Sequence, residues 1–427
     1  MRGRRPQRAA RAFLCGLGLC ALAVHAAPAA ALPDDRGWEL VSPVEKNGGG
    51  IATPSEAGAG TTRAAAAGGA IAYASRASFA AGAGAAPFSD YIARRTPTGW
   101  VTENITPAHL TGAYSGSPYL AFSADLSKAL MLNPARCPAG DPCLPGYRVR
   151  DNNTGQIVAE LADPSEFEPG GVQATFFVEA GHLYREESGS TTDLTPAGGV
   201  DAFLGADGPG ATAYYRSGGG IWRWRQGAGV TQILSVVPAS ALADASAVTA
   251  GVTADGNRLF FTTAARFPLA DVNFAPDVYQ WQVQGSGSCA KAGGCVDLIS
   301  SGLAGTSTFV GASADGADVF FVTDRSLVNA DPDSVDLYDA RVGGGFPEPV
   351  APPLCVGDAC QVVPPAVEDP VLTTTLPGVG NPAERYRAYG AKARCPKGKN
   401  LKTVKRKGRW VQKCVKAKGK RKRGRGK

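Results

Sequence analysis

The sequence predicts an all-β fold: a six-bladed β-propeller with a short, basic, disulfide-stapled C-terminal extension. Two observations lead there. One strand–turn–strand unit recurs six times through the body, and strands of about five residues recur with no competing stretch of helical apolar period. A third observation separates the extension from the body. Residues 1–31 hold five Arg and no acid, residues 32–381 hold 19 basic and 36 acidic residues, and residues 382–427 hold twenty basic residues and one acid, Glu384. The overall charge of +7 is therefore an average over an acidic body and a basic tail. Hydrophobic residues form 44% of the 427, enough for a packed core and against wholesale disorder.

The N-terminus comes first in the chain. An Arg-rich start, an apolar run from Ala12 to Val24 and the small residues ending in Ala29-Ala30-Ala31 have the layout of a secretory signal peptide. Cleavage is expected after Ala31, with Ala27 as second choice. Arg4-Arg5 is a weak hint of twin-arginine export. Leu19 before Cys20 does not fit a lipid anchor. No later apolar run reaches ~18 residues, so no membrane span is expected.

Residues 32–350 carry the repeats. The sharpest copies contain AVTAGVTADGNRLFFTT and STFVGASADGADVFFVT. In each, Asp-Gly (Asp255-Gly256, Asp315-Gly316) lies between alternating apolar runs, a strong hairpin signal. Second strands are expected from Ala70, Lys128, Ala174, Ala211, Arg258 and Asp318. Aromatic third strands are expected from Asp90, Gly146, His182, Ile221, Asp277 and Asp336. The third copy lacks a clear first strand. A propeller removes sheet edges by radial closure. Trp38-Glu39-Leu40-Val41-Ser42 is a spare strand, expected to close the ring beside the blade ending near Val350.

At these residues the chain resembles the TolB-like six-bladed propeller repeats, whose unit looks like S-x-D-G, a Phe-containing strand, a D-hydrophobic-Tyr strand and a closing Leu-Thr. Ser313-Ala314-Asp315-Gly316, Phe320-Phe321 and Asp336-Leu337-Tyr338 match. So do Asp255-Gly256, Phe260-Phe261, Asp277-Val278-Tyr279 and Leu194-Thr195. The usual Pro before Asp-Gly is Ala here. The resemblance implies a binding platform more often than an enzyme, since propellers host both.

Repeat spacing is uneven. Tyr91 to Tyr147 spans 56 residues and Tyr147 to Tyr184 only 37. The extra length falls between second and third strands, at Ser75–Ser89, Asn133–Pro145, Thr263–Pro276 and Thr323–Val335. Such loops share one face, which makes that face the expected ligand platform. Asp331, Asp333 and Asp336 cluster there and form a weak calcium candidate, with Asp271, Asn273 and Asp277 as the counterpart one blade earlier. The competing reading is Asp capping its own turn. Apart from calcium no cofactor is expected.

Catalytic signals are thin, and no catalytic residue is assigned. His109 and His182 are the only His beyond the leader. Trp222 and Trp224 lie two apart on one strand and read as inter-blade packing ahead of a sugar-stacking platform.

Eight Cys remain after the leader. They fall into local pairs, Cys137/Cys143, Cys289/Cys295, Cys355/Cys360 and Cys395/Cys414, read as disulfides because short loops close at least entropic cost. Residues 351–381 read as a Pro-rich linker. Residues 382–427 read as a Cys-bracketed hairpin followed by a disordered basic end. Lys405, Arg406, Lys407, Arg409 and Lys420, Arg421, Lys422, Arg423 are the polyanion-binding candidates. Docking on the acidic body, or mere solubility, are the alternatives for this tail.

The function these readings imply is an exported, non-enzymatic binding or scaffold protein, secreted or associated with the cell envelope. Its partners would be an anionic cell-wall polymer or an envelope protein. No specific nucleic acid is implied, and a monomer is expected. The alternative is a propeller enzyme acting on extracellular glycan or peptide.

Overall fold

The structure is a computed structural model. It describes residues 32–347 and 395–416, apart from 81–87, 108–116, 134–145, 168–173, 197, 236–241, 243–244, 246–248, 269, 304, 332–334, 398 and 408. The chain divides into two compact units, Met1–Val350 and Ala351–Lys427.

The first unit is a six-bladed β-propeller. Blade one pairs two short strands, β2 (Ile51–Ala52) and β3 (Arg63–Ala64), with β4 (Ala70–Ser75), followed by β5 (Ser89–Thr96) and β6 (Gly99–Asn104). Blade two is β7 (Tyr119–Phe122), β8 (Lys128–Asn133), β9 (Gly146–Asp151) and β10 (Ile157–Leu161). Blade three has three described strands, β11 (Thr175–Glu179), β12 (His182–Glu187) and β13 (Ser190–Asp193). Blade four is β14 (Ala202–Ala206), β15 (Thr212–Ser217), β16 (Gly220–Arg225) and β17 (Gly229–Ser235). Blade five is β18 (Ala250–Val252), β19 (Arg258–Thr263), β20 (Asp277–Gln282) and β21 (Cys295–Leu298). Blade six is β22 (Ser307–Ala312), β23 (Val319–Thr323) and β24 (Asp336–Val342), completed by β1 (Arg36–Leu40).

β1 pairs antiparallel with β24, Trp38 opposite Ala340. The N-terminal segment therefore closes the ring, as its sequence predicts, but two residues earlier than expected. Val41 and Ser42 have left the ladder: both backbone N–H groups turn onto the Leu337 carbonyl, at 2.9 and 3.3 Å. Blade five ends the same way, with Ile299 and Ser300 both donating to the Val278 carbonyl.

Two buried charges hold the closing strand. The Arg36 guanidinium donates to the carbonyls of Ala317, Ala340 and Gly316 at 2.7–3.0 Å. Glu39 accepts from Arg95 at 2.8 and 2.7 Å, from the Trp100 indole at 2.9 Å and from Gly345 N at 3.0 Å. It thereby ties blade six to blade one.

The core lies between blades rather than at one centre. Phe260 and Val278 of blade five pack with Phe321 and Tyr338 of blade six. Leu204 and Tyr214 of blade four pack with Phe261 and Tyr279 of blade five. The third strands of blades one, five and six are buried on both faces over most of their length, and every residue of β20 is buried. This is why they read as aromatic runs instead of alternating ones. Near the axis the blades approach closely. A Cβ on Gly251 would sit 2.7 Å from the Phe309 ring of the next blade, so only glycine fits.

The turns joining first and second strands are built on their Asp. Asp315 accepts from Ser313 Oγ at 2.6 Å and from Ala317 N at 2.9 Å, and Gly316 takes the left-handed φ of +70° that the turn requires. The alanine at the second position of each turn, before Asp in Ala124, Ala254 and Ala314 and before Ala67 in Ala66, links neighbouring blades. Ala254 N donates to the Ala314 carbonyl (2.7 Å), Ala314 N to Ala66 (2.8 Å) and Ala66 N to Ala124 (2.7 Å). A proline at those positions has no N–H to give. The departure from the S-P-D-G form thus has a structural use: it joins blades five, six, one and two.

The second unit is a two-stranded hairpin, β25 (Lys399–Arg406) and β26 (Arg409–Lys416), stapled by a Cys395–Cys414 disulfide with Cα atoms 5.6 Å apart. Its register follows the expected turn near Lys407.

Candidate functional site

Of the long loops between second and third strands, those of blades five and six are largely described. Their acids face inward. The Tyr279 hydroxyl donates to Asp271 and the Tyr338 hydroxyl to Asp331, one blade apart in matching geometry. Burial first, and the facing carboxylate second, push both phenols up. Arg266 brackets the Asp271 carbonyl at 2.9 and 2.6 Å while stacking 5.0 Å from the Phe274 ring.

Asp336 accepts from Ser42 Oγ at 2.5 Å and from the Lys46 ammonium at 2.6 Å, fully buried. Asp277 accepts from Ser300 Oγ at 2.5 Å and from Asn273 Nδ2 at 2.9 Å. Burial raises its pKa against those hydrogen bonds. Of the calcium candidates, then, Asp331 is held by a tyrosine and Asp336 already has a cation in Lys46. Asp333 lies outside the described residues. No group of three or more His, Cys, Asp or Glu able to hold a metal occurs among the described residues.

With the carboxylates turned in, the loop face shows apolar side chains to solvent. Phe274 is 83% exposed, and Val272 and Leu303 are also exposed. Val272 N donates to the Gly302 carbonyl at 2.9 Å, which brings the two loops together. Sequence reading took the acids of these loops as their functional content. The apolar residues between them are the ones presented.

The remaining candidates are placed as follows. His182 Nδ1 lies 3.1 Å from Asp193 on the adjacent strand, half-exposed, and His109 lies outside the described residues. Trp222 and Trp224 both pack against the Leu183, Leu194 and Tyr215 cluster between blades three and four, as the packing reading expects. Cys289 and Cys295 are bonded. Cys137, Cys143, Cys355 and Cys360 lie outside the described residues.

A cavity of about 630 Å³ occupies the centre of the propeller, between the inner strands of blades one, five and six. Ala66, Ala254 and Ala314 of the hydrogen-bonded turns border it, and Gly251, Phe309, Gly311 and Ala312 form its wall. Arg63 is the one charged residue in this lining. Sequence reading passed over it, because a single Arg in a two-residue strand carries no pattern.

The hairpin register sets like charges opposite one another. Lys399 faces Lys416, Lys402 faces Lys413 and Arg406 faces Arg409, three of eight pairs. Lys402, Lys405, Lys407 and Lys413 are exposed. Of the named polyanion candidates, Lys405, Arg406, Lys407 and Arg409 fall on the hairpin, and Lys420, Arg421, Lys422 and Arg423 lie outside the described residues. Lys402 and Lys413 join the group only once the register is known.

No protein-family model and no curated protein matches the chain. Solved structures similar to it include TolB from Acinetobacter baumannii, at 12% identity and a TM-score of 0.28 over 61% of each chain. The β-propeller domain of the trilobed protease from Pyrococcus furiosus is similar at 13% identity and a TM-score of 0.29, over 68% of this chain and 82% of that one. A calcium-binding protein, regucalcin, from Agrobacterium tumefaciens is similar at 11% identity and a TM-score of 0.29, over 68% of this chain and 92% of that one. The present chain thus matches less than two thirds of the length of TolB. The six blades themselves are read from the order of the sheets.

Proposed function

We propose that the protein is an exported, non-catalytic binding protein, held at the cell envelope by its basic hairpin and presenting the propeller loop face to a protein partner. The hairpin register carries this reading. Like charges directly opposite on paired strands destabilise by ~0.2–1 kcal/mol per pair, and a lone two-stranded hairpin is marginal in water. Three such pairs and a disulfide to hold them make sense when a polyanion supplies the missing charge. An anionic wall polymer has that chemistry in the compartment the leader implies. The disulfides support export, since they persist in oxidising compartments. The exposed Phe274, Val272 and Leu303 support a protein contact on the loop face.

Elution from immobilised heparin tests the hairpin. Replacing the opposed pair by K402E/K413E swaps two cations for two anions. The variant should elute at clearly lower salt while Cys395 and Cys414 remain bonded by thiol titration. Unchanged elution would remove the hairpin from the anchor.

A further inference from the structure

The central cavity is a concave site with one cation in it. Arg63, on the inner strand of blade one, is exposed to the cavity and forms no hydrogen bond or ion pair among the described residues. Arg94 and Arg225 also lack a side-chain hydrogen bond or ion pair among the described residues, but Arg63 is the one that lines the cavity. Arg36 pairs with Asp34, Arg95 with Glu39, Arg185 with Glu187, and Arg341 with Asp318. Arg63 is accessible yet surrounded by protein, and this surrounding lowers its pKa by desolvation without discharging it.

The wall around it is made of small side chains. Close approach between inner strands fixes these: Gly311 faces Ala64 of the next blade, where an added Cβ would lie 3.1 Å from the Ala64 Cβ. The polar wall residue Ser313 is already engaged, donating to Asp315 and accepting from Asp318 N. The other wall hydroxyl, Thr62 Oγ1, has no hydrogen-bond partner among the described residues but is itself buried, so the guanidinium is the one charged, accessible side-chain group the described wall offers a polar ligand. The rest offers a narrow apolar surface and the Phe309 ring.

We infer that the central cavity binds a carboxylate carried on a slender apolar body, with Arg63 gripping the carboxylate through its two-pronged N–H edge. A guanidinium matches a carboxylate bidentately. The small walls and the Phe309 ring leave a space of about 630 Å³, enough for an extended chain of small residues or a short aliphatic acid. The acidic body repels anions at large, so entry favours ligands whose single carboxylate is backed by apolar surface that the cavity can desolvate. This inference stands apart from the hairpin anchor and does not require it.

Calorimetric titration of the full chain tests it with three probes: N-acetyl-trialanine as the free acid, the same peptide as the C-terminal amide, and propionate. The free acid should bind saturably, and the amide at least about ten-fold more weakly, since it lacks the charge the bidentate contact needs. Arg63→Gln should weaken the acid by a similar factor while melting at the wild-type temperature. Ala312→Leu, which adds bulk to the cavity lining, should also weaken it. Propionate binding as tightly as the peptide would mark a free aliphatic acid as the ligand. Preference for the peptide would mark a chain terminus. Equal binding of acid and amide, unchanged binding by Arg63→Gln, or no binding of either carboxylate probe would overturn the inference.

Discussion

Asp90 stands where the matching strands of blades five and six carry an aliphatic side chain. Val278 N and Leu337 N each donate to a serine hydroxyl just past the outer strand of their blade, and Asp90 N donates to Thr106 Oγ1 in the same way. The strand period of two therefore sets Asp90 on the face of Val278, and Ser89 on that of Asp277. Asp90 is 1% exposed, and neither carboxylate oxygen has a hydrogen-bond partner among the described residues. Burial pushes its pKa up to about 7; the nearby Ser117 side chain opposes this without reaching hydrogen-bond geometry. A carboxyl raised above its unfolded value favours the protonated fold. Its stabilising contribution is complete below the unfolded value of 3.8 and is lost as pH rises through about 7. Asp90→Asn should remove that loss. Melting curves should show little difference from wild type near pH 4 and a widening gain for the variant up to pH 7 that stays level above it. A difference independent of pH would contradict the assignment. The sequence shows the offset, Asp90-Tyr91 against Asp277-Val278-Tyr279 and Asp336-Leu337-Tyr338. It does not show the consequence, that aligning on the tyrosine puts Asp90 on the opposite face, buried at the position of Val278.

Strands and turns were the most legible level. The second and third strands of blades one, five and six announce themselves because both faces are buried between blades, which forces aromatic and β-branched runs such as Phe320-Phe321-Val322. The closing strand was legible for the same reason, and its end was not. Leu40-Val41-Ser42 repeats the Leu298-Ile299-Ser300 of blade five, and both segments leave their ladder at the second residue. Its hold on the ring depends on Glu39. Glu39→Gln removes the charge facing Arg95 and should cost about 2 kcal/mol, below the full penalty for breaking a buried pair because Arg95 is partly solvated. Urea unfolding with an unchanged slope checks it, and a loss under ~0.5 kcal/mol on the same scale would contradict the latch. The inter-blade turns give a second test. Ala314→Pro restores the S-P-D-G form of the resembled repeats, fits the turn and deletes the N–H that reaches Ala66. It should destabilise by about 1–3 kcal/mol through the unpaired carbonyl. A stabilising effect would show that the inter-blade hydrogen bond contributes nothing.

At the scale of the whole molecule, the charge partition and the loop lengths direct the sequence reading to the tail and the loop face, while the chemistry of those surfaces depends on the fold. The loop acids read as a ligand site in sequence, and in the structure they are held by Tyr279, Tyr338, Ser42 and Lys46. Those partners lie far away in sequence or on the next strand, so spacing could not reveal them. Lys46, in particular, reaches Asp336 across 290 residues because the N-terminus closes the ring. The same closure makes residues 32–46 part of blade six. A chain starting at residue 47 should therefore lose cooperative unfolding, which circular dichroism melts would show. A cooperative melt at the wild-type temperature would contradict this. The tail is the reverse case: its charge was plain in the sequence, and only the register sets those charges opposite each other.

The central claim is that the hairpin anchors an otherwise acidic propeller at the envelope. The most direct measurement is co-sedimentation of residues 32–427 with isolated cell-wall material across a salt series, beside a truncation lacking 382–427. The account predicts that the longer chain pellets at low salt and is released as salt rises, while the truncation stays in solution. Equal pelleting of both chains, unaffected by salt, would contradict it.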